Sequence, residues 1–263
     1  MEEIITFTTD FGLKDPYQGA MKGAVLSVNP GAGLVDISHL VTPGNILEGA
    51  FILLESCGYF PRGTIHLAVV DPGVGTERKA VIVETERYLF VGPDNGLLSL
   101  AAGREKVRRV IHLTEKPFFR EEVSPTFHGR DIFAPVAAQL SLGTNPGAFG
   151  LEIDGLAAVE MPRPIKKDGL TTGEVIYVDI FGNLITNIRK EELDGAGMVE
   201  VSVNGLVIKG LTDNYAVVGK GEPLALVSSS GLLEIAVNSG AASGYFNAGV
   251  GTRVVLAPER RGG

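Results

Sequence analysis

The sequence predicts an α/β domain, with a mostly parallel sheet in an α/β sandwich, followed by a small all-β barrel domain. Two observations carry this. Through the first ~160 residues, short apolar runs alternate with stripes of helical period, the pattern of strands and covering helices, and that span is an ordinary domain size. Beyond a Pro- and Lys-containing stretch, Met161–Thr172, helix signals nearly vanish and short strands succeed one another. The expected domains are therefore 1–162 and 170–263, with the stretch between them read as a linker.

The first domain is organised around Val69–Lys79, VVDPGVGTERK. The apolar run Thr64–Val70 reads as a buried strand, and Asp71 stands at its end. The Gly/Pro loop Pro72-Gly73-Val74-Gly75 can fold back tightly and deliver Arg78 toward the Asp71 carboxylate. A charge-assisted pair follows, with a structural turn as the plain alternative.

The other elements fall around this one. Ile4–Thr9 is a strand that ends on a second aspartate, Asp10. Asp15-Pro16 reads as an N-cap with proline in the first turn. Tyr17, Ala20, Met21, Ala24, Val25 and Val28 then form an amphipathic stripe. Gly33–Ser38 completes a βαβ unit. Leu47, Ala50, Phe51 and Leu54 mark a second helix ending near Gly58. Lys79–Thr85, Tyr88–Val91 and Val107–Leu113 are strands, and Leu97–Ala102 is a short helix. Phe133, Val136, Ala137 and Leu140 mark the last helix. His128 lies at its N-terminus, where the helix dipole disfavours a protonated imidazole. In the second domain, seven strands run from Glu174 to Leu256, and Asn204-Gly205 is a type I′ hairpin signal. Loops at Asp179–Thr186, Ser228–Gly231 and Asn238–Ser243 offer polar groups on a rim.

Composition narrows the function. Hydrophobic residues make up 44% and charged residues 21% of the 263, which describes a folded globular chain. Net charge is −8 and no basic run interleaves with aromatics, which argues against nucleic-acid binding. One cysteine, Cys57, permits no internal disulfide and sits in a helical stripe as a packing residue. The four histidines lack metal-ligand spacing, so no metal is expected. With no signal peptide and no apolar run of membrane-spanning length, the expected place is cytoplasmic, away from membranes. Glu259-Arg260-Arg261 reads as a frayed end.

TTDFG with Asp15 downstream, VDPGVGTER, GPDNGLL, TFHGRDIFAP and FGNLITNI occur in that order along nearly the whole chain. Together they resemble the S-adenosylmethionine hydroxide adenosyltransferase family, hydrolases related to the bacterial fluorinase and chlorinase. The resemblance implies hydrolysis of S-adenosylmethionine to adenosine and L-methionine, with no cofactor. It also implies a homotrimer whose sites lie between subunits. By position, Asp71, Arg78 and His128 resemble the triad that handles the attacking water, and Asp10 resembles the carboxylate that holds the ribose, with Asp15 near it. Asn183 and the Asn238-Ser239 backbone resemble adenine contacts. Asp179 and Ser229 resemble contacts to the methionine end, and Phe127 and Phe181 would flank the ligand. Asp71, Val74 and Gly129 stand where the halogenases carry Tyr, Thr and Ser, which argues against halide chemistry.

The chemistry this implies is simple. A sulfonium leaves as a neutral thioether, so no general acid is needed, and the protein must place water in line behind the ribose C5′. Arg78 would stabilise hydroxide character and Asp71 would orient it. Either His128 takes the proton or Arg78 holds a hydroxide. Three other readings are a halogenase of the same fold, a non-catalytic adenosine-binding protein, and a metal-dependent phosphoesterase built on Asp10, Asp36, Asp71, Asp94 and His128.

Overall fold

The computed structural model describes residues 3–193 and 199–258, so the tail at Glu259–Arg261 lies outside the described residues. The chain divides into two units, Met1–Glu160 and Met161–Gly263.

The first unit runs β1 (Ile4–Thr9), α1 (Tyr17–Leu26), β2 (Gly33–Ser38), α2 (Ile46–Cys57), β3 (Ile65–Val69), β4 (Ala80–Thr85), β5 (Leu89–Pro93), α3 (Ser99–Ala102), β6 (Val107–Leu113), α4 (Ala134–Ser141) and β7 (Gly150–Ile153). Its sheet has the order β2-β1-β3-β5-β4-β6-β7. The pairs among β2, β1, β3 and β5 are parallel. The hairpin β5-β4 and the pairs to β6 and β7 are antiparallel. Because side chains alternate along a strand, each face carries its own core. Ile5, Phe7, Val69, Ile82 and Ile111 pack with Met21 of α1 and Val136 of α4. Ala68, Val81, Val83 and Phe90 pack with Leu53 of α2 and Ala101 of α3. The result is a sheet between two helical layers.

The chain order places a site. β1 has β2 on one side and β3 on the other, with α1 and α2 on opposite faces. In such sheets ligands bind beyond the carboxyl ends of the strands where the connections diverge. Thr9 and Val69 are register partners at those ends. Asp10 therefore leaves β1 beside the point where β3 runs on to Asp71.

The second unit runs β8 (Ile165–Lys167), β9 (Leu170–Val178), β10 (Leu184–Arg189), α5 (Lys190–Leu193), β11 (Val199–Val203), β12 (Leu206–Lys209), β13 (Pro223–Val227), β14 (Leu232–Val237), α6 (Ala242–Tyr245) and β15 (Arg253–Pro258). The order β12-β11-β15-β9-β10-β14-β13 is antiparallel throughout. It nearly closes into a barrel, because the Thr212 N–H after β12 donates to the Ala225 carbonyl of β13 at 2.8 Å. Asn204 and Gly205 have φ of 47° and 83°, as the expected type I′ turn requires.

Three expectations need correction. The stretch read as a linker contains the β8-β9 hairpin, turned at Asp168-Gly169 with φ of 52° and 76°. Asp-Gly is a hairpin signal, masked here by the polar Lys166-Lys167 before it. Asp15 is not the N-cap of α1. Pro16 holds that place, no side chain caps it, and Asp15 is exposed. The Asn238–Ser243 loop runs into α6, a helix too short to show a period. Cys57 is buried, and burial pushes its thiol pKa up, in keeping with a packing role.

Candidate active site

A cleft of about 220 Å³ opens at the carboxyl ends of β1 and β3, lined among others by Asp10, Phe11, Gly44, Asp71, Phe127 and His128. Asp71 in its lining is ion-paired with Arg78, which is not itself among the lining residues. Arg78 Nε donates to both Asp71 oxygens at 3.0 Å, and Arg78 Nη2 donates to Oδ2 at 2.5 Å. The two side chains are 10% and 5% exposed, so water screens the pair little. The loop that joins them is a compact turn, with the Val74 N–H on the Asp71 carbonyl and the Thr76 N–H on the Gly73 carbonyl. Gly75, at φ 76°, lets this loop touch its neighbour, because a Cβ there would lie 2.4 Å from the Pro125 carbonyl oxygen. Asn95, from the GPDNGLL motif, holds the strand end by donating to the Val70 carbonyl at 2.9 Å.

His128 completes the group. Arg78 Nη2 lies 2.7 Å from His128 Nδ1. A guanidinium has donors only, so Nδ1 is the acceptor and the neutral ring carries its proton on Nε2. Burial lowers the His128 pKa, and the Arg78 charge lowers it further, against smaller opposing effects of Asp71 and Asp131. The sequence reading assigned this preference to a helix dipole. His128 is the N-cap residue of a π-helical turn, Gly129–Phe133, that runs directly into α4, and burial and Arg78 add to whatever that position contributes.

The cleft wall holds its other groups in place. Asp10 Oδ2 accepts the Gly44 N–H at 2.8 Å, which leaves its other oxygen free of that bond. Phe127 makes edge contacts with Phe11 and Tyr17 at 5.7 and 5.5 Å, and the Arg130 guanidinium sits 4.9 Å from its ring centre. Asp131, fully buried, clamps the segment carrying Phe127 and His128. It accepts from Arg130 at 2.6 and 2.8 Å and from the Ser124 N–H at 2.9 Å, and Arg120 lies at 3.4 Å. Asp15 is not among the residues that line the cleft. The sequence reading missed the Gly44 amide and the Asp131 clamp. A backbone donor leaves no residue-type signal, and Asp131 passes for an ordinary first-turn acid.

The metal-site alternative loses its ligand set. Asp36 is paired with Lys22 at 2.6 Å and His39 at 3.0 Å, and Asp94 accepts the Ala157 N–H at 2.7 Å. Among the described residues, no group of three His, Cys, Asp or Glu side chains could hold a metal ion. No helix among them is long and apolar enough to cross a membrane.

In the second unit, Asp179 braces a turn. Its Oδ1 accepts the N–H groups of Phe181 and Asn183, and its Oδ2 accepts the Asn183 side-chain amide, all at 2.9 Å. Asn183 is buried, while Phe181 is 73% exposed on the turn. Ser229 is exposed between Ser228 and Ser230, whose hydroxyls bond each other at 2.8 Å. Asn238 donates to the Val218 carbonyl, and Ser239, at φ 57°, donates to the Asn238 side chain at 3.1 Å.

Two domain models of one family match the chain. The SAM hydroxide adenosyltransferase N-terminal domain matches residues 5–150, and the C-terminal domain of the same name matches residues 173–255. A Thermus thermophilus protein named (R)-S-adenosyl-L-methionine hydrolase is 39% identical over 90% of this chain and 93% of its own. A fluorinase of an Actinoplanes species is more distant, at 26% identity over 96% and 97%. The crystal structure of an uncharacterised conserved protein from Thermotoga maritima superposes with a TM-score of 0.90 at 37% identity, covering 96% of this chain and 99% of that one. The chain belongs to the SAM hydroxide adenosyltransferase family.

Proposed function

We propose that this chain hydrolyses (R)-S-adenosyl-L-methionine to adenosine and L-methionine. The observation that carries the reading is the Arg78 guanidinium, bonded at once to Asp71 and to His128 in the cleft. Relatives at about this identity are named for the reaction.

The hydrogen-bond pattern favours one of the two roles that the sequence left open. With Nδ1 taken by Arg78, neutral His128 presents Nε2–H, which can donate to an oxygen and cannot take a proton. The nucleophile is then water with hydroxide character, stabilised by the Nε2–H donor and the Arg78 charge beside it. Asp71 Oδ1 accepts only one bond from Arg78, so a lone pair is left to orient the nucleophile. The oxygen attacks C5′, the C5′–S bond breaks with its electron pair going to sulfur, and the water proton passes to solvent. Sulfur leaves neutral, so the step needs no acid. Asp10 grips the ribose hydroxyls through charged hydrogen bonds, and Phe127 packs against the nucleoside.

The finer parts rest on the family likeness. Asn183 and the Asn238-Ser239 backbone hold adenine, Asp179 and Ser229 hold the methionine end, and the protein works as a homotrimer. The exposed Ile180 and Phe181, at 89% and 73%, are the kind of surface that an assembly buries. Incubating the purified protein with each separated sulfonium epimer and chromatographing the products tests the activity. The R epimer should give adenosine, and 5′-methylthioadenosine would mean that a different bond is cut.

A further inference from the structure

Behind the cleft lies a chain of hydrogen bonds, buried at Thr9 and His39 and reaching the surface at Asp36, that the proposed mechanism does not use. Lys22 Nζ sits 2.6 Å from Asp36 Oδ2, and Asp36 Oδ1 lies 3.0 Å from His39 Nε2. His39 Nδ1 lies 2.7 Å from Thr9 Oγ1, which in turn receives the Phe11 N–H at 3.3 Å. His39 is 3% exposed and Thr9 is fully buried. The main chain doubles the link. The Gly12 N–H donates to the His39 carbonyl at 2.7 Å, and the Val41 N–H donates to the Thr9 carbonyl at 3.3 Å. Asp10 is the one residue between Thr9 and Phe11, so both of its chain neighbours are tied to this network.

One arrangement with a neutral ring gives every donor an acceptor. Phe11 N–H gives to Thr9 Oγ, the Thr9 hydroxyl gives to His39 Nδ1, and His39 Nε2–H gives to Asp36, whose charge Lys22 balances. Every proton then has one acceptor, so the arrangement fixes the ring and the Thr9 rotamer together. Loss of the imidazole would strand a buried hydroxyl next to Asp10 and free the turn to shift.

We infer that His39 is a positioning residue for ribose recognition: through Thr9 it sets where the Asp10 carboxylate stands in the cleft. The inference rests on the reading that Asp10 holds the ribose. It follows that His39 governs binding of the nucleoside more than the chemical step, because Arg78 and His128 stand on other segments. Partners of this kind, one step behind a ligand-binding group, commonly change affinity 10- to 100-fold when removed, by analogy with those behind metal ligands.

The experiment measures adenosine binding by calorimetry and steady-state kinetics for His39→Ala, Thr9→Val, the double variant, His39→Asn and Asp10→Asn. Melting temperatures confirm that each is folded. The single variants should weaken adenosine and raise KM by about tenfold, with kcat changing less. The double variant should be no worse than the weaker single one, since both cut one chain. His39→Asn can still accept from the Thr9 hydroxyl, so it should recover part of the affinity. Should His39→Ala fail to fold, Thr9→Val, which only replaces a hydroxyl by a methyl, decides alone. Unchanged adenosine affinity in folded His39→Ala or Thr9→Val, beside weakened Asp10→Asn, overturns the positioning role and leaves the Asp10 reading standing. Unchanged affinity in Asp10→Asn overturns both.

Discussion

Asp10 lines the cleft, Arg78 stands behind it bonded to the lining residues Asp71 and His128, and substitution separates their proposed work. In the proposed reaction Arg78 acts on the nucleophile, which is not part of the substrate. Arg78→Ala should therefore lower kcat by roughly 10²–10³ with a smaller change in adenosine affinity, the loss typical of one oxyanion donor. Asp10→Ala should instead weaken adenosine and substrate together, by about 1.5–3 kcal/mol for a charged hydrogen bond. His128 adds a pH signature. Its pKa is lowered from 6.5 by burial and Arg78, so the ring stays neutral until the pH falls below that value. Protonation would put a hydrogen on Nδ1 facing Arg78 and break the group. The acid limb of kcat/KM should lie below pH 6.5, and His128→Ala should remove it. A limb above pH 6.5, or full kcat in His128→Ala, would make this a structural histidine. The residue types were legible in VDPGVGTER and TFHGRD, and the structure brings Asp71, Arg78 and His128 together. The tautomer was not, because it depends on a 2.7 Å contact between residues 50 apart in sequence.

Strands and helices were the most legible scale, since the apolar run of β3, the β-branched and aromatic residues of β1 and the period-3.6 stripes of α1 and α4 each extend over several residues. Short pieces escaped. β7 carries only four residues beside a glycine, and β8 only three, two of them lysines. What each strand faces also escaped, and His66 on β3 shows the consequence. It is fully buried among Phe60, Tyr88 and Phe90, with Nδ1 bonded to Thr6 Oγ1 at 2.8 Å. Its Nε2 has no hydrogen-bond partner among the described residues. Burial pushes its pKa down from 6.5 to about 3. The folded state thus binds this proton less readily than the unfolded chain does. The associated stability is fully present above pH 6.5 and is lost as the pH falls toward about 3. Denaturant unfolding across that range should show stability declining with acid. The decline should be shallower in Thr6→Val/His66→Leu, which removes both partners of the buried bond. An equal slope in the two proteins would assign the acid sensitivity to other groups.

At the scale of the whole molecule, the change from alternating strands and helices to strands alone announced two units, and the chain divides at Glu160/Met161. Assembly is a different matter, because a surface that meets a neighbour carries no period of its own. The proposed homotrimer makes a concentration prediction. If neighbouring copies complete the nucleoside site, dilution to monomer should abolish adenosine binding, and light scattering beside calorimetry would follow both. A fully active monomer would exclude the shared site. The central claim, attack of water on C5′ in the Asp71–Arg78–His128 cleft, has a direct test in ¹⁸O-labelled water. Turnover of the R epimer should place the label in the 5′-hydroxyl of adenosine and leave methionine unlabelled, and labelling should slow with turnover in Arg78→Ala. Label in the amino-acid product, or 5′-methylthioadenosine in place of adenosine, would contradict it.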